Sequence, residues 1–413
     1  MTLLRQRSFA LMWWSGLISF AGDWMLGIAR PLFVYQLTGS TLATSLMFVA
    51  GMLPRIVLGS VVGVYVDRWN RQRLMVMANL LLAVSIVPLL WVRTPDHLWI
   101  VYLSALVTSS VAQFLYPAEN AFLPTLVSED QLVAANALNG LNNNLARLTG
   151  PAIGGAIMAG LGFQAVILID AATFVIAALM IAAIRTGSST HEVEPAGSAP
   201  APDVRRVWRE WQEGLQRVMR SRALTLLFML EAVLAVGQGA MSVLFTPFAT
   251  DILKTDSVGI GLLMSAQAVG GLLGSVVIAR VGNRTDLWKL LGWSCLIFGL
   301  IDGVLFNYPI FFPGLAIGIA ALIVVGVPGA GVATGLTTAL QKETEDAYRG
   351  RVFGALLTTS ALFELLGMGI AGTLGDRLGS GLINLQVIAY VLGGLLVLMR
   401  KRAVTPAPLA HKA

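Results

Sequence analysis

Twelve apolar runs, most of them near or above the roughly 20 residues a helix needs to cross a bilayer, follow one another with short polar breaks between them. They fall near 9–36, 42–66, 74–92, 98–122, 133–160 and 163–184, then near 223–250, 257–282, 287–306, 309–340, 350–374 and 380–399. The pattern predicts an all-α membrane protein with twelve transmembrane helices. The fifth and sixth runs are parted only by Gly160-Leu-Gly-Phe163, which makes that break the thinnest in the count. The first run continues apolar, apart from Asp23, to about Tyr35 without a small-residue cleavage site, so it reads as a span and not as a leader.

Residues 186–203 are polar and rich in Pro, Ala and Ser, and they divide the runs six and six. Just beyond, Val204, Trp208, Trp211, Leu215 and Val218 share one helical face, with Arg205, Arg206, Arg209, Arg217 and Arg220 largely elsewhere. That is the pattern of a basic amphipathic helix lying on a membrane surface. A calmodulin-like partner would need the same pattern, but a surface-lying connector is the better reading. The expected organisation is an N-terminal six-helix bundle (1–185), a cytoplasmic linker with its amphipathic helix (186–222) and a C-terminal six-helix bundle (223–413). Gly59-Ser-Val-Val62 recurs as Gly274-Ser-Val-Val277, and Gly154 has a counterpart in Gly369 at the same spacing. Together with the six-plus-six division, these matches favour a duplicated transporter with its site between the halves.

Twelve spans put both termini and every even-numbered loop on one side. Of the 28 Lys and Arg, 22 fall on that side, Arg93, Lys254 and Arg377 fall on the other, and Arg30, Arg55 and Arg147 lie inside spans. This asymmetry predicts a multi-pass protein of the cytoplasmic (inner) membrane with both termini cytoplasmic. It also accounts for the net charge of +6 without nucleic acid. The composition agrees: 56% of the chain is hydrophobic and only 12% charged, about half the charge of soluble domains, with a mean hydropathy of +0.76. One cysteine, Cys295, excludes a disulfide framework or a thiolate metal site, and His97, His191 and His411 all lie in loops or tails. No metal site is expected.

The loop after the second span reads Gly63-Val-Tyr-Val-Asp67-Arg68-Trp-Asn70-Arg71-Gln-Arg73. A Gly, three apolar residues, Asp-Arg and a basic cluster resemble the signature loop of the major facilitator superfamily. The resemblance implies that fold, two six-helix bundles, and a gating role for Gly63, Asp67, Arg68 and Arg71. In the family the matching Asp latches the second span to the eleventh when the protein is open outward. Physically, Asp67 at the membrane edge can pair with Arg71 or Arg68, or face a helix N-terminus. Asn70 stands where the family usually has Gly, and Asn also accepts a left-handed turn. The plain alternative is a positive-inside loop, but an Asp adds nothing to topology.

In the fifth span, Arg147-Leu-Thr-Gly150-Pro151-Ala-Ile-Gly154-Gly155 resembles the Gly-Pro-x-x-Gly-Gly element of exporters in this superfamily. Pro151 removes a backbone donor, and Gly150, Gly154 and Gly155 permit close helix approach, expected against Gly270, Gly271 and Gly274 of the eighth span. Generic small-residue packing would use the same residues. Pro124-Thr-Leu-Val127, Leu132, Ala135-Asn136-Ala-Leu138 and Arg349-Gly-Arg-Val-Phe353 resemble the macrolide-type and siderophore exporter branch. The fourth span carries Ser109 and Ser110 where the best-studied drug/proton antiporters place an Arg, so their detailed mechanism does not transfer.

Ionisable residues at depth cost at least about 2.5–3.5 kcal/mol each, so they are functional candidates by default. At about 1.5 Å per residue, Asp23, Arg147 and Glu364 lie about 21 Å and Arg55 about 17 Å from the cytoplasmic ends of their spans. Glu231 and Glu119 lie nearer the cytoplasmic side. In the functional reading Asp23 and Glu364 include the proton-coupling carboxylate, with Arg55 and Arg147 tuning them. The structural reading pairs the charges, for instance Asp23 with Arg55. Asp170 and Asp302 are expected in structural or interfacial roles, and Arg30, beside Pro31, as a snorkelling end residue.

These features point to a secondary transporter that exports amphipathic small molecules of drug or siderophore type by proton antiport. Trp24, Met25, Phe114, Tyr116, Phe245 and Phe248 are the cavity candidates. There is no G-x-x-x-x-G-K-[ST] loop for ATP, so an ion gradient is the expected energy source. An uptake permease or a lysophospholipid or other lipid transporter of the same fold is the alternative. A membrane-embedded enzyme would need clustered His, Asp and Glu, and the spans hold no His. Expected partners are the small-molecule substrate, protons and the lipid bilayer, with no cofactor, and the chain is expected to act as a monomer.

Overall fold

The computed structural model describes residues 3–58, 62, 66, 69–185, 212, 215–312 and 314–400. Twelve long helices occur among them. The first six are α1 (Arg7–Thr38), α2 (Thr41–Leu58), α3 (Arg71–Ile86), α4 (Leu98–Phe122), α5 (Leu132–Leu161) and α6 (Phe163–Ala182). The second six are α7 (Arg222–Pro247), α8 (Ser257–Val281), α9 (Leu287–Asn307), α10 (Leu315–Glu343), α11 (Arg349–Leu378) and α12 (Asn384–Leu398).

The helix ends follow local chemistry. Side chains of Asn70, Ser221, Asp256 and Asp286 accept hydrogen bonds from first-turn N–H groups and so start α3, α7, α8 and α9. Gly39 ends α1 in the left-handed region at φ 63°, returning its N–H to the Tyr35 carbonyl at 2.7 Å. Gly162 (φ 82°) alone separates α5 from α6, so the thinnest break in the sequence is a real turn. The tenth helix starts at Leu315, later than the apolar run suggests, because Tyr308–Ile310 forms a separate 3-10 turn and Gly314 is extended.

Eleven of the twelve helices are apolar enough to be read as membrane spans by hydropathy alone, and α5 is not. It is 30 residues long, ample to cross, but its N-terminal half carries Asn136, Asn139, Asn142, Asn143 and Asn144. Asn136 and Asn144 are exposed, while Asn142 is fully buried and donates to the Trp13 carbonyl at 2.6 Å. Trp13 Nε1 donates back to the Leu138 carbonyl at 2.9 Å. Asn136 and Asn144 donate back to the Leu132 and Gly140 carbonyls of their own helix and Asn143 to Tyr116 of α4, so these amide N–H groups have protein partners and not lipid.

Helix packing repeats at a spacing of six helices. The pairs α1–α5, α1–α6, α2–α4, α3–α4 and α3–α6 recur as α7–α11, α7–α12, α8–α10, α9–α10 and α9–α12. One apolar core forms around Phe9, Ile86, Ile167 and Phe174, the other around Leu227, Leu244, Phe248 and Val325. The bundles meet chiefly through α5–α8 and α2–α11.

Small residues set these approaches, as expected where lipid leaves close packing to hold helices together. A Cβ on Gly154 would lie 2.6 Å from the Met25 Cα, and one on Gly155 would collide with the Ser257 carbonyl. The α8 surface that α5 meets is therefore Ser257, Val258 and Gly261, and not the expected Gly270–Gly274 row. Gly270 and Gly274 instead abut α10 at Ile323 and Val327, and Gly271 has open space beside it. Gly369 likewise meets nothing, and α11 approaches α7 through Gly367 against the Val236 carbonyl. Of the amphipathic connector, Leu215–Arg220 is helical with Val218 buried. Residues 204–211, the linker 186–203, the Gly59–Ser60–Val61 repeat element and Gly63, Asp67 and Arg68 of the signature loop lie outside the described residues.

Candidate functional site

A cavity of about 460 Å³ opens in the first bundle, walled by α1, α2, α3, α4 and α6 and completed by Glu364 and Met368 of α11. Its apolar wall includes Phe20, Met47, Phe48, Met52 and Phe174, and its polar wall includes Thr108, Ser109, Gln113 and Tyr116. Five charged side chains reach it: Asp23, Arg30, Arg55, Asp170 and Glu364. Asp23 and Arg55 are exposed to its space, Arg30 and Glu364 half-exposed, and Asp170 buried at its wall. Among the described residues no ion pair joins these five. Arg55 and Glu364 attract each other across the α2–α11 junction, and both Asp170 and Asp23 attract Arg30.

The cavity thus gathers Asp23, Arg55 and Glu364 of the anticipated charges, together with Tyr116, which stacks on Phe20 with ring centres 5.6 Å apart and accepts from Asn143 Nδ2 at 3.2 Å. It does not gather the others. Arg147 is turned toward α8, with Nη2 3.4 Å from Gln267 Oε1 and its guanidinium 5.7 Å from the Trp24 ring. Trp24 is thereby committed to the α1–α5 contact, its Cβ lying beside Gly150. Glu119 is 5% exposed and wedged between α1 and α5, near Gly16 and bonded to Asn139. Glu231 accepts from Ser360 Oγ at 2.7 Å inside the second bundle. Phe114 stacks on Trp69, and Phe245 and Phe248 are core residues of the second bundle, so neither is a cavity residue; Met25 is buried against Gly154.

Two residues read from sequence as peripheral belong to the cavity. Arg30 does not snorkel outward: its Nε is buried, and the side chain points into the same space as Asp23. Asp170 is fully buried on α6, where Thr173 Oγ1 lies 3.3 Å from its Oδ1. A signal was available, since a carboxylate in a span as apolar as α6 is costly whatever the helix's place in the bundle. Asp302 fits its structural reading, accepting from Gln386 Nε2 at 2.6 Å.

The hydrogen bonds joining the two bundles, among the described residues, lie at mid-span or toward the ends distal to the termini. At those distal ends Tyr35 OH donates to Asp251 Oδ2 at 2.5 Å. Asp376 of α11 accepts from the Thr41 N–H at 2.7 Å and Ser40 Oγ at 3.0 Å, completing the N-terminal cap of α2. Ser45 Oγ donates to the Met368 carbonyl and Ser257 Oγ to the Gly155 carbonyl. The cavity is therefore sealed on the side opposite the termini.

Over residues 1–402 the chain matches the family described as transmembrane secretion effector. It is 29% identical over 410 residues to the multidrug efflux pump Tap of Mycobacterium tuberculosis, covering 96% of this chain and 94% of that protein. To macrolide efflux protein A of Streptococcus pyogenes it is 25% identical over 380 residues, covering 90% of each. Its fold is similar to that of a bacterial homologue of the iron transporter ferroportin in the inward-facing state, with a TM-score of 0.77, 16% identity and coverage of 96% of this chain and 99% of that one. Against the outward-facing state of that homologue the TM-score is 0.58, at 16% identity and coverage of 94% and 98%. Paired six-helix bundles, duplicated packing and a cavity closed on the side opposite the termini, together with the family match, define a membrane transporter of the major facilitator superfamily. Within it, this chain belongs to the transmembrane secretion effector family.

Proposed function

We propose that this transporter exports amphipathic small molecules of drug type in exchange for protons, by alternating access of one cavity to the two faces of the cytoplasmic membrane. The observation that carries the reading is the cavity itself: its lining mixes aromatic and apolar side chains with carboxyl groups that substrate and protons can reach from the same space. The apolar wall suits a bulky, partly hydrophobic solute, and the intramembrane carboxylates supply groups that bind and release protons. Similarity to two efflux proteins favours export over uptake. The positive-inside pattern puts both termini, and the open end of the cavity, in the cytoplasm. Gating then alternates between the α5–α8 and α2–α11 contacts at the outer end and the Asp67 loop at the inner end.

The test is accumulation of ethidium and of erythromycin in cells expressing the chain, with and without a protonophore. Export predicts lower accumulation than in control cells and loss of the difference when the gradient collapses. Higher accumulation in expressing cells would establish uptake, and an unchanged difference under protonophore would remove proton coupling.

A further inference from the structure

Where α1 crosses α6, its backbone narrows at Gly22. A Cβ there would collide with Asp170 Oδ1 and Thr173 Oγ1. The missing side chain lets the Asp170 carboxyl lie directly on α1, next to Asp23 and about two turns from Arg30. Arg30 is attracted by both carboxylates, but its Nε and Asp170 Oδ2 are buried without a hydrogen-bond partner. All three side chains line one cavity. Charged groups held unsatisfied at depth are expensive to keep.

Their levels differ in a useful way. By helix rise, Gly22 and Asp23 lie about 22–24 Å from the outer end of α1 and Arg30 about 12 Å, so the Asp170 carboxyl resting on Gly22 is level with Asp23, and Arg30 stands two turns nearer the outer end. Two carboxyls thus sit together at mid-membrane, with Arg30 on their sealed, outer side. Around the trio in the same cavity, Arg55 of α2 and Glu364 of α11 attract each other and α4 contributes Tyr116, while Arg71 and Arg73 sit at the far end of α3 and Arg147 of α5 bonds to Gln267.

We propose that Asp170 and Asp23, sharing the one guanidinium of Arg30, form a proton relay within the N-terminal bundle. The proposal rests on the proton-coupled reading above and names its residues. When the bundles open outward, a proton from outer water binds the Asp170 carboxylate and Arg30 turns to Asp23. When they open inward, the proton passes through cavity water to the Asp23 carboxylate and leaves to the cytoplasm, and Arg30 returns to Asp170. One guanidinium neutralises one carboxylate, so a single proton completes the neutrality of the trio and one proton crosses per cycle.

The test reads conformation without any substrate. Spin labels on Gln164→Cys and Ile310→Cys, both exposed at outer helix ends, are placed in a Cys295→Ala chain reconstituted in liposomes. Distances are measured by pulsed EPR from pH 5 to 9. The unmodified trio predicts an inward/outward ratio that changes by up to about tenfold per pH unit across one transition. Asp170→Asn abolishes that transition, Asp23→Asn abolishes the same one, and Glu364→Gln retains it. Should Asp170→Asn fail to insert, Asp23→Asn and Glu364→Gln still decide between the relay and an α11 carboxylate. A wild-type pH profile in Asp170→Asn overturns the relay alone, whereas a reference chain with no pH dependence overturns proton coupling as well.

Discussion

Asp376→Ala isolates the energy of the outer seal. The carboxylate accepts from the Thr41 N–H at 2.7 Å and from Ser40 Oγ at 3.0 Å, a cap on α2 supplied by the opposite bundle. Loss of a helix N-cap costs about 0.5–2 kcal/mol, and an anion at a helix N-terminus contributes about 0.3–1 kcal/mol when exposed. Asp376 is exposed and Ser40 Oγ remains as a partial cap, so we take about 1 kcal/mol. Because the bond exists only with the bundles closed at the outer end, its loss shifts the equilibrium toward outward opening about fivefold. Pulsed EPR between labels at Gln164 and Ile310 reads this as growth of the longer-distance population at fixed pH. Asp376→Asn retains one acceptor and is expected to fall between the two. An unchanged distance distribution in Asp376→Ala would refute the claim that this contact holds the inward-open form.

Gly155→Leu places a side chain where the Ser257 carbonyl lies, and is expected to reduce transport at least about tenfold while leaving membrane insertion normal on a surface-labelling gel. Glu119→Gln is expected to transport like the parent, because the carboxylate is walled off by Gly16 and Asn139; loss of proton-driven transport in that variant would return it to the coupling site. Asp302→Leu leaves Gln386 without its partner and is expected to cost about 1–3 kcal/mol of stability, read as a lower melting temperature in detergent. Cysteines introduced at Arg5 and Gln212 are expected to label from the cytoplasmic face only, which checks the orientation drawn from the Lys and Arg distribution.

The helices were largely legible in the chain because lipid imposes one length and one polarity on most of them, and caps such as Asn70, Asp256 and Asp286 mark their starts. Chemistry within the bundles was less legible, because hydropathy records depth and not azimuth. Depth along the span marks Asp23 and Glu364, but it assigns Asp170 only a structural or interfacial role. Only the notch at Gly22 shows that a peripheral helix can send a carboxyl inward. Likewise the small-residue row Gly270–Gly274 invites pairing with α5, when the face turned that way is Ser257–Gly261, about three and a half turns nearer the outer end. Aromatic residues were the poorest guide: Tyr116 lines the cavity, while Phe245 fills a core that any apolar side chain of its size would fill.

The polarity of α5 has a consequence for biogenesis. A segment with five asparagines in its inner half partitions poorly into lipid when it leaves the translocon by itself. It is followed, after the single residue Gly162, by α6, the most apolar span among the described residues. The two helices therefore suit insertion as one hairpin, the second drawing in the first. Replacing apolar residues of α6 that face lipid, such as Leu168 and Leu179, with serine would then strand α5 outside the membrane, although neither leucine touches the transport pathway.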